Sequence, residues 1–305
     1  MNKTLTDISG LLVGHYTNEA AHTGCTAIIC KDGAVAGVDV RGSAPGTRET
    51  DLLRGYNVVE RVNAIVLSGG SAFGLDTASG AMQFLEERHM GMEIGPIVVP
   101  IVPAAVIFDL TEDNLNAKPG KAEGYAACSA ASEQPVVQGR VGAGTGATVS
   151  KAFGPMFARN GGLGSVCLHL DGGVKVAALM VVNALGDIYD PATGALCAAA
   201  VLEGRPTPCL ESPALRGAAF GNTTIGVVAT NARLTREEAN KMASMGHDGL
   251  AMAIRPVHTS MDGDTIFGLS TGEVEAPFLP ILAAAAQAAA QAVLKAVEQG
   301  GGMLP

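Results

Sequence analysis

The sequence predicts an α/β protein with a large core. Short apolar runs of strand length recur along the chain, glycine-rich turns separate many of them, and three segments have the residue pattern of helices. Hydrophobic residues make up 48% of the 305 residues and charged residues 16%, which is typical of a compact globular protein of one or two domains. The small charged fraction also predicts that other subunits cover part of the surface.

The predicted strands of the first half cover residues 11–15, 26–30, 33–40 and 63–68. Lys31-Asp32-Gly33 has the composition of a turn and predicts a hairpin between the second and third of these strands. The strand that ends at residue 68 is followed by the turn Gly69-Gly70 and by a predicted helix at 72–88. Pro100 and Pro103 restrict the next apolar run to an edge strand or an extended segment that lines a site.

The predicted strands of the second half cover residues 165–170, 174–182 and 225–229. The first two pair around the turn Asp171-Gly172-Gly173. Thr235 and Glu238 form a capping box that begins a helix toward Ile254. The alanine-rich segment 280–297 is interrupted by polar residues, so we expect a packed C-terminal helix and no membrane span.

Charge and composition exclude several classes of function. The net charge is −9 and no run of lysine and arginine occurs, which argues against a nucleic-acid partner. The six cysteines contain no CxxC pair and the start of the chain lacks the features of a signal peptide, so we expect free buried thiols and a cytoplasmic protein. The six histidines form no metal-spaced set, and we expect no metal and no cofactor.

Residues 221–231 combine a flexible glycine with two hydroxyl residues at the start of a buried strand. This arrangement suggests that the chain cuts itself between Asn222 and Thr223. Thr223 would then carry both a nucleophilic hydroxyl and an α-amine whose ordinary pKa, about 7.7–8.0, lets it act as the base. The alternative is that Thr223 and Thr224 are ordinary β-branched strand residues.

Two carboxylates, Asp262 and Asp264, flank Gly263 directly ahead of an apolar run. Residues i and i+2 of an extended chain share a face, so these carboxylates can point the same way and share protons. Proton sharing raises one pKa and lets one carboxylate donate a hydrogen bond. A simple pair of turn acids is the alternative.

The glycine-rich run 142–151 matches a loose GxGxxA pattern, but no acid follows about 20 residues on and no Walker loop is formed. The run can instead aim backbone amides near Gly144 and Gly146, and the Lys151 side chain, into a cavity. Lys151 could equally be a surface lysine. Asn183, at the end of a predicted strand, is either a turn cap or an oxyanion donor.

Two loops complete the candidate site. The loop 41–51 carries two arginines and two acids among turn-forming residues, which fits either a solvated loop or a wall of the site. The proline-containing loop 205–217 is of the exposed kind that can precede a processing site.

Together these stretches resemble the DmpA/NylC family of self-processing hydrolases, which includes L-aminopeptidase/D-esterases, β-peptidyl aminopeptidases and nylon-oligomer hydrolase. The resemblance runs from about Thr6 to Gly272, and the matching stretches are residues 41–51, 68–74, 142–151, 221–231 and 258–267. It implies a layered αββα sandwich like that of the N-terminal nucleophile hydrolases, also seen in ornithine acetyltransferase. It further implies a single domain, 1–305, that cuts itself into a large chain, 1–222, and a small chain, 223–305.

The resemblance also implies roles for individual residues. Thr223 is the nucleophile, Asp264 contacts its hydroxyl or amine, and Asp262 holds Asp264, as in the nylon-oligomer branch. Lys151 and Asn183 match the lysine and asparagine that polarise the substrate and bind the oxyanion. Phe108 is a substrate-pocket candidate and stands where relatives can carry a tyrosine, so the substrate and rate are expected to differ.

The implied function is hydrolysis of amide or ester bonds in small peptides or amino-acid amides through an acyl-threonine, by a homotetramer of processed pairs. Three alternatives are considered. The first is an acyltransferase of the ornithine acetyltransferase type. The second is a nucleotide-binding oxidoreductase based on residues 142–147, and the third is a non-catalytic member of the family that never matures.

Overall fold

The computed structural model describes residues 3–211 and 221–304. The described strands are β1 (Leu11–Asn18), β2 (Thr23–Val40), β3 (Thr47–Arg48), β4 (Arg61–Ser68), β5 (Met92–Ile94), β6 (Ile97–Val99), β7 (Ala104–Val106), β8 (Thr148–Val149), β9 (Arg159–Asn160), β10 (Gly162–His169), β11 (Lys175–Asn183), β12 (Asp187–Tyr189), β13 (Leu196–Ala198), β14 (Ala200–Leu202), β15 (Arg205–Thr207), β16 (Thr223–Ala232), β17 (Ile254–Arg255) and β18 (Thr265–Val274). The described α-helices are α1 (Thr77–Glu86), α2 (Lys121–Ser129), α3 (Arg236–Ala253) and α4 (Phe278–Gly300).

One nine-stranded sheet organises the chain. Its strand order is β10-β11-β16-β18-β2-β4-β7-β3, with β1 paired to β2 outside this path. Most neighbours are antiparallel, but β16 runs parallel to β18, and β4 runs parallel to β7. The predicted pairing of β10 with β11 around residues 171–173 is confirmed.

The long strand β2 joins the two halves of this sheet, and it corrects one prediction. Lys31-Asp32-Gly33 does not form a hairpin, because β2 runs through it without turning back. The pairing with β4 shifts register between Ile29 and Ala34, and Gly33 has a positive φ of +70°. The turn-forming residues therefore lie in a β-bulge within the strand. Beyond the bulge, β2 pairs with β18 instead of β1.

The two halves of the sheet pack against each other, and helices cover their outer faces. In β11, Leu179 and Val181 belong to a core that also contains Ile28 of β2 and Leu67 of β4. The alternate residue Met180 faces the opposite way, toward α3 and α4. On the other half, α1 and α2 cover β2 and β4 in a separate cluster. The layers are thus helix, sheet, sheet, helix, and the expected αββα architecture is confirmed.

The helices follow the sequence signals with one difference. The Thr235 hydroxyl accepts from the Glu238 amide at 3.2 Å and the Glu238 carboxylate accepts from the Thr235 amide at 2.8 Å, so the predicted capping box is present. The segment predicted as a helix at 72–88 begins as a 3₁₀ helix, Ser71–Asp76, and continues as α1.

Helix α4 is, within the described residues, the helix long and apolar enough to cross a membrane by length and composition. Half of its most apolar window is buried, and it packs against α3, β10 and β11. The prediction of a packed C-terminal helix is confirmed. The six cysteines are free and five of them are buried, as predicted. Of the predicted loop 205–217, residues 212–217 lie outside the described part of the chain.

Candidate active site

Three strand termini meet at one end of the sheet, and they carry the polar residues singled out in the sequence. Because β16 and β18 are parallel, they begin at the same end, and the antiparallel strand β11 ends there. Asn183, the last residue of β11, lies opposite Thr223, the first residue of β16. Asn222 forms a bridge with Asp262, just ahead of β18. The topology thus brings together residues as far apart in the sequence as Asn183 and Asp262.

Thr223 is buried and lies against the peptide bond that precedes it. Its hydroxyl donates to the carbonyl oxygen of Asn222, and the amide of Gly263 donates to the same oxygen at 3.0 Å. A Cβ at position 263 would lie 2.9 Å from the Thr223 hydroxyl and 2.5 Å from the Ala44 carbonyl oxygen. The glycine between the two aspartates therefore allows the backbone to approach Thr223 closely.

The two aspartates are buried and make different contacts. One carboxylate oxygen of Asp264 accepts from the amide of Thr224 at 2.6 Å, and the other accepts from the His258 ring at 2.7 Å and the His258 amide at 3.2 Å. Asp262 accepts from the amide and hydroxyl of Thr259 at 2.7 and 2.6 Å. These hydrogen bonds differ from the ones that the resemblance implies. At the start of β16, the described bond of Asp264 is to the amide of Thr224 instead of to Thr223. The described bonds of Asp262 come from Thr259 instead of involving Asp264.

The electrostatics of the aspartate couple agree with proton sharing. Burial raises the pKa of the Asp262 carboxyl, and the negative charge of Asp264 raises it further. Hydrogen bonds from Thr259 and the charge of Lys151 oppose this rise. Asp262 is therefore easier to protonate than an ordinary aspartate.

Lys151 and Asn183 converge on one carbonyl oxygen, that of Gly221. The ammonium of Lys151 donates to it at 3.2 Å and the Asn183 amide donates to it at 3.1 Å. Lys151 also donates to the Asn183 side-chain oxygen at 2.9 Å, while the Asn183 amide also donates to the Phe108 carbonyl at 3.1 Å. Burial lowers the pKa of Lys151 to about 7, against the attraction of Asp262. It is an interior lysine next to Thr223 in the fold, and not a surface one.

A small cavity of about 220 Å³ opens beside Thr223. Its lining residues are Ala44, Pro45, Gly46, Ser71, Ala72, Val106, Ile107, Phe108, Gly221, Asn222, Thr223 and Met261. The loop predicted as a possible wall of the site contributes the first three, and it is fixed by the amide of Ala44, which donates to the Asp262 carbonyl at 2.9 Å. Phe108 is 45% exposed and its ring lies against Gly221.

Gly144 and Gly146 lie away from this cavity. A Cβ on Gly144 would meet the amide nitrogen of Leu163 at 2.5 Å, and one on Gly146 would meet the His22 carbonyl oxygen at 2.0 Å. These glycines permit close backbone packing, and neither lines the cavity beside Thr223. The structure also argues against nucleotide binding by this run. A dinucleotide site needs a loop between a strand and a helix, whereas Gly142–Gly144 forms one 3₁₀ turn that is followed by β8.

Three non-glycine residues around the site adopt positive φ angles: Ser71 at +54°, Ser150 at +58° and His258 at +56°. Ser71 lines the cavity, Ser150 precedes Lys151, and His258 contacts Asp264. Such backbone conformations cost on the order of 1–3 kcal/mol each and cluster at functional sites.

His258 is a residue of the site that the sequence reasoning missed. From the sequence, the histidines are considered only as metal ligands, yet the His258 ring contacts Asp264 and is largely buried. The available signal was its place at the start of the matching stretch 258–267. Gly263 was likewise read only as a spacer between two acids, whereas its amide contacts the Asn222 carbonyl.

In the described part of the chain, one group of side chains has metal-ligand geometry. Oxygen, sulfur and nitrogen atoms of Asp7, Cys167 and His169 lie within 4.8 Å of one another. The ammonium of Lys175 lies 3.5 Å from the Asp7 carboxylate and already supplies a positive charge there. None of these residues lines the cavity beside Thr223.

Comparison with known proteins identifies the family. The model of peptidase family S58 matches residues 3–303. The chain belongs to this family. An uncharacterized aminopeptidase of Mycobacterium bovis is 42% identical over 293 residues, which covers 90% of this chain and 83% of the relative. A 6-aminohexanoate-oligomer endohydrolase of Paenarthrobacter ureafaciens is 33% identical over 285 residues, covering 90% and 76%.

Solved structures support the same fold. The PH0078 protein of Pyrococcus horikoshii superposes with a TM-score of 0.73 at 21% identity, covering 97% of this chain and 86% of that one. The L-aminopeptidase D-Ala-esterase/amidase of Ochrobactrum anthropi, described as a variant of the Ntn hydrolase fold, gives 0.70 at 18% identity, covering 98% and 85%. The S58 chain is therefore a hydrolase of peptide or amide bonds with the predicted fold.

Proposed function

We propose that this S58 enzyme cuts its own chain between Asn222 and Thr223 and then uses Thr223 as an N-terminal nucleophile on amides or esters of small peptides and amino-acid amides. The observation that carries the proposal is the arrangement around one carbonyl. The Asn222 carbonyl oxygen is contacted by the Thr223 hydroxyl and by the Gly263 amide at 3.0 Å.

In the first stage, the Thr223 oxygen attacks the Asn222 carbonyl carbon and the negative charge develops on the carbonyl oxygen. The Gly263 amide is already placed to stabilise that charge, and one such donor contributes on the order of 10²–10³ in rate. Collapse of the intermediate breaks the C–N bond and leaves the acyl group on the threonine oxygen. The nitrogen takes up the proton that the hydroxyl has lost and becomes a free amine. Water then hydrolyses the ester and yields the Asn222 carboxylate and a free Thr223 hydroxyl.

In the second stage, the new α-amine accepts the Thr223 hydroxyl proton, and the hydroxyl attacks the carbonyl of the substrate. Departure of the Asn222 carbonyl leaves the Gly263 amide available to the substrate's oxyanion. Release of the amine product leaves an acyl-threonine, which water hydrolyses. Lys151, whose pKa is about 7, and the Asn183 amide both contact the carbonyl oxygen of Gly221, the residue before Asn222. Lys151 supplies positive potential there, and Asn183 supplies amide donors.

The lining of the cavity supports small, largely apolar acyl groups. Its described residues are mostly aliphatic or small, and its volume of about 220 Å³ suits a short segment of substrate. One relative is named as an endohydrolase of 6-aminohexanoate oligomers, and a structural neighbour is named as an aminopeptidase with esterase and amidase activity. Phe108 offers an apolar ring to the substrate at this position.

The test of the proposal is Thr223→Ala beside the matched control Thr224→Ala. The Thr224 hydroxyl is buried without a described hydrogen-bond partner, so its loss removes a similar group from the next position. We expect the wild type and T224A to yield pieces 1–222 and 223–305 on denaturing electrophoresis, the smaller one beginning Thr-Thr-Ile-Gly. T223A is expected to stay intact and to lose amidase activity.

A T223A protein that still matures and still hydrolyses amides would contradict the proposal. An intact wild-type chain without amidase activity would point to the non-catalytic alternative. Transfer of the acyl group to an added amine without net hydrolysis would point to the acyltransferase.

We also propose a homotetramer of processed pairs. Several large apolar side chains are exposed on the single chain, and they support the burial of part of the surface by other subunits: Tyr56, Val58, Phe73, Met156 and Leu279. Light scattering on the purified protein measures the subunit number.

A further inference from the structure

His258 contacts one carboxylate of the aspartate couple and does not line the cavity beside Thr223. Its ring contacts the Asp264 carboxylate at 2.7 Å through Nδ1, and its amide contacts the same oxygen at 3.2 Å. The other Asp264 oxygen holds the amide of Thr224, the residue that follows the nucleophile. Asp264 therefore links His258 to the start of β16.

Both ring nitrogens of His258 face oxygen acceptors. Nδ1 faces the Asp264 carboxylate, and Nε2 faces the backbone carbonyl of His247 at 3.4 Å. A neutral imidazole has one N–H, whereas an imidazolium donates from both nitrogens. The ring of His258 is therefore held between two acceptors, and the shorter of its two contacts is the one with Asp264.

The neighbouring histidine, His247, is more deeply buried than His258. His247 is buried and packs edge-on against His258, with ring centroids 4.8 Å apart. Its Nε2 faces the Asp39 carbonyl at 2.9 Å and its Nδ1 has no described partner. Burial lowers the pKa of His247 to about 4, and the charge of His258 adds to this effect. His247 is therefore neutral near pH 7.

The other charged groups near the two histidines are paired elsewhere or act on Asp262. The Arg41 guanidinium lies on the carboxylates of Asp39 and Asp248 at 3.0 and 3.1 Å. Lys151 attracts Asp262. In the described part of the chain, the basic side chain that contacts the Asp264 carboxylate is that of His258.

We propose that His258 is a positioning residue that orients the Asp264 carboxylate through its ring Nδ1 and its backbone amide. The proposal rests on the proposed function, because it assigns a task to the residue behind the Thr223 site. Asp264 then fixes the Thr224 amide, and with it the direction of the Thr223 hydroxyl. His258 does not line the cavity, so its loss should affect the rate more than substrate binding.

Two substitutions separate the hydrogen bond from the rest of the ring. His258→Asn places an amide N–H where Nδ1 stood, so it keeps a hydrogen bond to Asp264 and loses the ring. Asparagine also tolerates the φ of +56° at this position. His258→Gly removes both features, and glycine adopts positive φ without strain. His247→Asn is the matched control, because it removes the packed ring without touching Asp264.

The measurements are the self-cleavage rate, kcat and KM of the full chain, each over pH 5–9, with thermal unfolding to confirm that each variant folds. We expect H258G to lose on the order of 10²-fold in self-cleavage rate and kcat with little change in KM, because misplaced reacting groups have losses of this size. H258N should recover up to roughly tenfold through its hydrogen bond.

The inference fails if H258G and H258N keep wild-type rates, or if H247N shows the same losses, which would indicate packing alone. T223A separates this failure from that of the proposed function. If T223A remains active, the proposed function fails whatever His258 does. If T223A is inactive and the His258 variants behave as wild type, the assignment of His258 alone is wrong.

Discussion

The ammonium group of Lys151 contacts three oxygen atoms of Asn183 and Gly221, yet burial lowers its pKa to about 7. An unfolded lysine keeps a pKa of about 10.4. Between these values the unfolded chain binds a proton that the folded chain has released. The free energy of unfolding therefore rises with pH between the two pKa values. The stability that Lys151 contributes is fully present above the unfolded pKa and is lost as the pH falls toward 7.

Lys151→Met should remove this pH dependence. With Thr223→Ala as the background, to keep the chain intact, the free energy of unfolding of the Lys151 protein should rise between pH 7 and 9 relative to K151M. The difference in slope is at most about 1.4 kcal/mol per pH unit. Urea denaturation at pH 7, 8 and 9 measures it, and the exposed Lys241→Met serves as the control. Parallel pH curves for K151M and its background would show that Lys151 is charged in the folded protein.

Single residues of the site could be predicted from the sequence where the chain places them in a recognisable stretch. Thr223, Asp262, Asp264, Lys151 and Asn183 do come together at one end of the sheet, and their catalytic roles are part of the proposal. His258 could not be predicted, because its importance depends on a buried contact with Asp264 within the segment that links α3 to β18.

The misplacement of Gly144 and Gly146 has a related cause. A glycine-rich run has the same appearance whether its backbone faces a ligand or another strand. Here the missing side chains make room for backbone atoms of Leu163 and His22.

At the scale of elements, the outer helices lie directly on glycines of the sheet and of each other. A Cβ on Gly164 of β10 would lie 2.1 Å from the Ala292 carbonyl oxygen of α4, and one on Gly249 of α3 would lie 2.2 Å from that of Ala286. These are backbone atoms that cannot move aside independently of the helix. The alanine-rich sequence of α4 is thus matched by glycines on the surfaces that it covers.

Gly164→Ala should therefore separate α4 from β10. We expect a loss of about 1–3 kcal/mol in the free energy of unfolding, the range for overpacked cores. Gly55→Ala is the control, since a Cβ there meets nothing within 4 Å. Urea unfolding of both variants measures the effect. A G164A protein as stable as G55A would mean that α4 shifts on the sheet at little cost.

Elements could be predicted where local contacts determine them, and not where long-range strand pairing does. The capping box of α3 is a local arrangement of Thr235 and Glu238, and it formed as expected. The turn signal at Lys31-Asp32-Gly33 is also local, but the pairing of β2 with β1, β4 and β18 overrides it and converts it to a bulge. Long-range strand pairing is not encoded in a three-residue window.

For the whole molecule, the layered architecture followed from the resemblance and not from composition or periodicity. Short apolar runs predict strands, but they do not specify which strands are neighbours. The parallel pair β16 and β18, separated in sequence by α3, is what places Thr223 beside Asp262 and Gly263. That neighbourhood could be inferred only through relatives with the same five stretches.

The position of the proposed cut within the sheet predicts how the two pieces behave. The part after the cut supplies β16 and β18, which lie in the middle of the nine-stranded sheet, and the part before it supplies their outer neighbours β11 and β2. Helices α3 and α4 also pack on strands of the larger part. Cutting one peptide bond at the start of β16 removes a connection between the pieces but none of these strand pairings.

We therefore expect the pieces 1–222 and 223–305 to co-elute in size-exclusion chromatography and to match the elution volume of intact T223A. Separation should require denaturant, because each piece alone would expose unpaired strand edges and apolar faces. Denaturing electrophoresis of the eluted fractions shows whether both pieces are present in equal amounts. Elution of the smaller piece by itself in native buffer would mean that the covalent link at Asn222, and not the pairing of β16 with β11 and of β18 with β2, holds the mature sheet together.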